Sequence, residues 1–440
     1  MDVISELIKQ LKVQLLSVSD LEQGIRQLSI STASLSTLFS KDSQEIDLLA
    51  WLDCQTVFPQ FYWFGREHDL EAVACGSAIQ FASINEADHF IQTYPEYTSL
   101  RIWGANAFDQ QEGGFFFLPR IEINYDQHCL TILVNLYSDI LLAEDVKQAI
   151  TALDQLLPQT EKQQQTIEIV STKQVPEQAQ WRELIQQSLA AIENKQFDKV
   201  VMARKSTLAL KAPLNPVQFI RQSKQINPHC YHFMLRFNEN ETFLGSSPER
   251  LYLRQAQHLY TEALAGTVVN DVDDNRAQEL ANWLMNDEKN QYENSLVVND
   301  ILQRLAAISS DISIQPCEVV RLRKVQHLRH KIDTDLNHYD DKSILYWLQP
   351  TAAVSGLPRQ PAFEFILENE PFNRQWYAGS IGYLSSSQSE FSVSLRSAYI
   401  EDHYIHIYAG AGIVKGSDPL HEWIEINNKA SGLVTLIKED

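Results

Sequence analysis

FSVSLRSAYIEDHYIHIYAGAGIVKGSDPLHEWIEINNKASGLVTLI (residues 391–437) holds the patterns that decide the fold. FSVSLRSAYI and HYIHIYAGAGIV alternate like strands on either side of the turn Glu401–Asp402, which predicts an antiparallel hairpin. A helix follows at about 418–437, because Ser417 or Asp418 can cap it and Pro419 suits its first turn. Glu422, Glu425 and Lys429 stand at i, i+3 and i+7 and share a face, with Leu420 and Ile424 towards another. By itself such a stripe is ordinary for a solvated helix. The strand leading into it alters the balance: Gly410 and Gly412 lack the Cβ that would keep a ligand off the backbone. A glycine-lined strand end running into an acidic helix suits an anion held by a metal.

Further upstream, a long helix is expected at about 274–308, with Glu293, Val297 and Asp300 on one face. A carboxylate on a buried face needs a partner. With no His/Cys pattern nearby, two glutamates from separate helices suit a hard cation such as Mg²⁺, whose shell is completed by water and substrate oxygens. An ordinary buried ion pair is the alternative. DKVVMARKSTLAL (198–210) alternates as a strand and puts Lys199 on the face of Val201 and Ala203. In FLGSSPERL (243–251), Glu249 follows a Ser-Ser-Pro turn at a strand end. A lysine buried among apolar residues loses basicity by desolvation and can act as a general base; a buried glutamate gains it and can act as a general acid. Taken singly, each is more often an edge-strand lysine or a turn glutamate.

Further strands are expected at 61–67, 113–125, 129–137, 230–237, 241–245, 250–254 and 259–261, and helices at 142–157 and 177–194. Strands cluster and helices cluster instead of alternating. That points to an α+β protein: a single large domain of antiparallel sheets packed together and flanked by helices. The Gln-, Glu-, Thr- and Pro-rich stretch Asp154–Gln180 reads as a linker. It separates an N-terminal part, 1–165, that completes the sheets from a catalytic region, 175–437.

The 440 residues are 44% apolar and 21% charged, an ordinary globular composition. A formal net charge of -21 without a Lys/Arg-rich run disfavours nucleic acid and anionic membrane surfaces as partners. A small anionic substrate remains open, since a few local cations can outweigh a diffuse field. Cys54, Cys75, Cys129, Cys230 and Cys317 are scattered and form no CxxC, which fits a reducing cytoplasm. MDVISELIKQLKVQLLSV reads as an amphipathic helix interrupted by charges, not as a signal peptide.

DKVVMAR, FLGSSPER, TEALAGT, DEKNQYENSLVV, VQHLRH, LQPTAAVSGLP, WYAGSIGY, FSVSLRSA, YAGAGIV and DPLHEWIEINNKA follow one another between about 195 and 435. In this order they resemble the chorismate-utilising enzymes, a family of isochorismate synthases, salicylate synthases, anthranilate synthase component I and aminodeoxychorismate synthase. FYWFGRE and the chain length are similar to the menaquinone-pathway isochorismate synthases. The resemblance implies the family's fold, chorismate as substrate and Mg²⁺ as cofactor. It makes Glu293 and Glu425 metal ligands with Glu422 beside them, Lys199 the base that activates water, and Glu249 the acid for the leaving hydroxyl. It assigns a substrate carboxylate to Arg396, a second cation to Lys429, backbone N–H groups to Gly410 and Gly412, and places in the site to His327, Tyr377 and Ala353.

Lysine at 199 distinguishes water-adding members from anthranilate synthases, which typically carry glutamine, so no glutaminase partner is expected. Ala265 stands where aminodeoxychorismate synthases carry lysine, and Ala353 where salicylate synthases tend to have threonine. Gln349 and Asn294 replace histidines common among relatives. The implied activity is therefore isomerisation of chorismate to isochorismate, for menaquinone. Salicylate synthase, a siderophore-pathway isochorismate synthase and a silent chorismate-binding protein are the alternatives. Oligomeric state is left open by the sequence.

Overall fold

In the computed structural model, which describes residues 3–18, 23–32, 47–126, 129–160, 165–338 and 340–437, twenty strands join in one branched hydrogen-bonded network. Every pairing among the described residues is antiparallel, and helices cover the flanks, an α+β architecture of the expected class. The branch point is Gly114–Asp126, which pairs with Glu71–Phe81, Ile102–Asn106 and Cys129–Ser138. One arm runs on through Gln60–Phe64, Tyr231–Arg236, Glu241–Ser247, Ser397–Glu401 and Tyr404–Val414 to Lys199–Leu210. The other runs through Ser380–Leu384, Gln388–Val393, Arg250–Gln255 and His258–Val269 to Val325–Leu336. The chain crosses from one arm to the other at Pro248–Glu249, between Glu241–Ser247 and Arg250–Gln255.

Strands of the first 165 residues pair directly with later ones, Gln60–Phe64 with Tyr231–Arg236 and Ile102–Asn106 with Ser380–Leu384. The N-terminal helix Val3–Leu16 buries Ile4, Leu7, Ile8, Leu11 and Leu15, the face its periodicity marks. Inside this half, Arg120 and Asp145 form a buried bidentate pair; Asp145 also accepts from Tyr137 N at 2.8 Å. Arg120→Lys keeps the charge but loses the fork geometry. It is expected to cost about 1–3 kcal/mol, read as a lower urea midpoint at unchanged m.

Three expectations need correction. The long helix is two, Asp274–Asn286 and Glu288–Leu305, because Asp287 is extended (φ -78, ψ 117) and its side chain accepts from Asn290 N, capping the second helix. FSVSLRSAYI is not one strand: it breaks at Arg396, whose φ is 46, so Gln388–Val393 joins one arm and Ser397–Glu401 the other. The hairpin with Tyr404–Val414 survives beyond the break. The supposed linker contains the strand Ile169–Val175, an edge partner of Lys199–Leu210, whose polar side chains face solvent and hide its pattern.

Candidate active site

Lys199 begins its strand between Val414 and Leu357, and its side chain is completely buried. Its Nζ lies 3.1 Å from Glu293 Oε1, a charge contact without an aligned hydrogen bond. Glycine at 412 makes that meeting possible. A Cβ there would come within 2.3 Å of Glu293 Oε1 and 3.0 Å of Lys199 Cε. A Cβ at Gly410 would sit 2.9 Å from the Tyr377 hydroxyl, and Tyr377 stacks on Tyr408 with centroids 5.1 Å apart. Lys429 donates to Gly410 O at 3.0 Å and pairs with Glu425 at 2.8 Å, which ties the final helix, Pro419–Val434, to the strand end.

The carboxylates of the two helices converge. Burial opposes the charge on Lys429, but Glu425, then Glu293 and Glu422, outweigh it and raise its pKa. Glu422, buried, pairs with Lys289 at 2.8 Å; burial and then Glu425 lift its pKa. Among the described residues no three His, Cys, Asp or Glu side chains form a ready metal cage, because lysine ammonium groups stand among the acids. The donor chemistry is all carboxylate, which fits a hard cation able to take over the positions those ammonium groups neutralise.

Glu249 sits at the crossing between the arms and is 2% exposed. Burial, then the charge of Glu262, raises its pKa to about 8, against a pull from Lys199, Lys429 and Arg66. Arg396 is half-buried, and among the described residues no carboxylate pairs with it; desolvation lowers its pKa from the usual arginine value. Its Nη2 lies 3.3 Å from His327 Nε2. Burial, then Arg396 and Lys429, push the His327 pKa well down, so its ring is neutral and Nε2 accepts from the arginine. Nδ1 then carries the proton and faces Thr267 Oγ1 at 3.2 Å. A half-buried cation with no acid partner among the described residues, held by a neutral imidazole, has the chemistry to accept a ligand carboxylate.

Glu249, Glu293, His327, Ala353, Tyr377, Arg396, Gly410, Gly412 and Lys429 line one cavity between the arms. Lys199 and Glu425 reach it through their ion pairs, and Glu422 lies further back against Lys289. As the side chains stand the cavity is narrow, about 80 Å³, against the roughly 300–1,000 Å³ of small-molecule sites. A separate cavity of about 540 Å³ contains none of these residues. Lys289 was legible as the residue at i−4 from Glu293 on the same helix, yet was missed. Gly266, with φ +81 at a bulge, and Thr267 gave no periodic signal.

The two histidine replacements are satisfied locally. Asn294 donates to Ala265 O and Leu328 O and accepts from His330; Gln349 donates to Ala107 O and accepts from Ser380.

Residues 24–438 match the model of the family described as chorismate binding enzyme. The chain is 48% identical over 394 residues to the isochorismate synthase MenF of Escherichia coli, covering 89% of this chain and 91% of that protein. It is 37% identical to the MenF of Haemophilus influenzae, over 96% and 97% of the two chains. The solved structure of the menaquinone-specific isochorismate synthase MenF from Escherichia coli superposes with a TM-score of 0.94 at 44% identity, over 99% of this chain and 100% of that one. Anthranilate synthase component I from Streptococcus pneumoniae shares the fold, with a TM-score of 0.68 at 18% identity over 91% and 96%.

Proposed function

The chain belongs to the chorismate binding enzymes, and from that premise we propose that it is an isochorismate synthase, an isomerase that turns chorismate into isochorismate for menaquinone synthesis. One observation supports the site assignment: a fully buried lysine and a buried glutamate, whose pKa burial raises to about 8, attend one cavity in which Arg396 has no carboxylate partner among the described residues.

Arg396 binds a substrate carboxylate, and the neutral His327 keeps its guanidinium aimed. Lys199 takes a proton from water as the oxygen bonds to C2. The ring double bond shifts, the C4–O bond breaks, and Glu249 gives its proton to the departing hydroxyl, which leaves as water. One water enters and one leaves, so the step balances and runs in both directions. Glu293 and Glu425, with Glu422 beside them, would hold Mg²⁺, which when bound supplies positive charge for the ring carboxylate. Water as nucleophile calls for no glutaminase partner, and nothing in the reaction calls for nucleic acid or a membrane. Among the described residues no helix is long and apolar enough to cross one. We place the enzyme in the reducing cytoplasm, which suits its five free cysteines.

The test is chromatography of the products from purified protein, chorismate and Mg²⁺, with and without EDTA. Isochorismate in equilibrium with chorismate, abolished by EDTA and restored by Mg²⁺, is the expected result. Salicylate with pyruvate would move the activity to the lyase branch, and no conversion would sink the proposal. Arg396→Ala is expected to raise KM for chorismate by roughly 10–100-fold with a smaller effect on kcat, the size of a lost hydrogen bond to a charged group. Steady-state kinetics checks it.

A further inference from the structure

Arg66 belongs to FYWFGRE, just past the strand Gln60–Phe64, and its side chain is 6% exposed. It reaches across 182 residues of sequence to donate to Pro248 O at 2.5 Å. The same guanidinium grips Glu262 with both forks, at 2.6 and 3.0 Å. Glu262 in turn accepts from Arg250 N at 2.8 Å and is backed by Arg329 at 3.4 Å. The two peptide groups that this pair holds lie immediately before and immediately after Glu249. The backbone of Glu249 itself is also engaged: its N–H donates to Ser247 Oγ, and its carbonyl accepts from Val393 N and Ser392 Oγ.

We propose that Arg66 and Glu262 are positioning residues, a clamp through which the N-terminal half of the chain fixes the aim of the Glu249 carboxyl into the substrate cavity. The inference rests on Glu249 being the acid of the proposed reaction. A side chain at a crossing between two sheet arms has no regular ladder on both sides, so its direction depends on such local bonds. Acid–base groups tolerate about 0.5 Å of error, and a displacement of about 1 Å costs on the order of 10²-fold in rate. Arginine suits the place because its planar fork takes both oxygens of Glu262 side-on while also reaching Pro248 O, a fixed geometry that the compact ammonium of lysine does not reproduce. The charge of Glu262 also helps keep Glu249 protonated, after burial. Burial raises the Glu262 pKa, but the charge and hydrogen bond of Arg66, with Arg329 and the Arg250 N–H, outweigh it and lower the value below the usual carboxylate range.

Four variants decide the matter: Arg66→Lys, the isosteric Glu262→Gln, Arg120→Lys as a buried pair of the same half remote from the acid, and Glu249→Gln. Melting temperature, kcat and KM for chorismate are measured for each. Arg66→Lys and Glu262→Gln are expected to lose roughly 10–100-fold in kcat with KM within about two-fold of the parent. Arg120→Lys is expected to lose melting temperature but keep kcat within about two-fold. Parental kcat in folded Arg66→Lys or Glu262→Gln, a loss shared equally by Arg120→Lys, or failure of both clamp variants to fold would overturn the clamp. Retained turnover in Glu249→Gln would instead overturn the acid assignment on which it rests.

Discussion

Lys199→Ala is expected to lower kcat by about 10²–10⁴-fold, the contribution of a positioned general base. The lysine is completely buried, its Nζ contacts Glu293 at 3.1 Å, and the missing Cβ of Gly412 leaves room for both side chains. Truncation removes the amine that the strand Lys199–Leu210 places beside Glu293 and opens a small space where it stood. Arg396 is untouched, so chorismate binding, measured by calorimetry, should persist while turnover disappears. Added methylamine, small enough for the vacated space, should restore part of the rate. Turnover near the parent's, measured by chromatography, would show that another group takes the proton from water.

Glu249→Gln should be comparably severe, about 10²–10⁴-fold in kcat, since the amide matches the carboxyl in shape but its N–H protons are too weakly acidic to transfer. The pH dependence carries the finer prediction. Burial and then Glu262 raise the Glu249 pKa to about 8, so at neutral pH it is protonated and competent as an acid. The rate should fall above pH 8 in proportion to the fraction still protonated, and the variant's residual rate should lack that limb. Stability follows the same proton. The native carboxyl keeps a proton that the unfolded chain, with a value near 4.5, gives up. Between pH 4.5 and about 8 the native state therefore binds more protons, and the stability this group contributes declines as pH rises through that window. Urea midpoints of Glu249→Gln should vary less across the window than those of the parent.

Much of this site could be seen in the one-dimensional pattern because its parts ride on regular elements. Period-two alternation in DKVVMARKSTLAL turned Lys199 inward, and the i, i+3, i+7 spacing put Glu422, Glu425 and Lys429 on the face that meets Gly410. What stayed hidden depends on backbone torsion or on contacts between distant segments. The extended conformation of Asp287 splits a helix whose composition is continuous across it. The positive φ of Arg396 sends FSVSLRSAYI into both arms, although no glycine marks the spot. The strand Ile169–Val175 has a mostly exposed side-chain row, so no apolar alternation announced it. Arg66 and Glu262 stand 196 residues apart in sequence, and only the fold brings them together beside Pro248.

The crossing of the chain at Pro248–Glu249 also bears on synthesis. Lys199 leaves the ribosome early, yet its strand partner Tyr404–Val414 follows only after the whole of the second arm has been made. Until then Lys199 has no glycine floor at 412 and no helix from Pro419 to Val434 to complete the site. A nascent chain arrested anywhere between these points would expose the apolar row of Lys199–Leu210 and could not bind substrate. A ligand can stabilise the fold only once translation has passed the final helix.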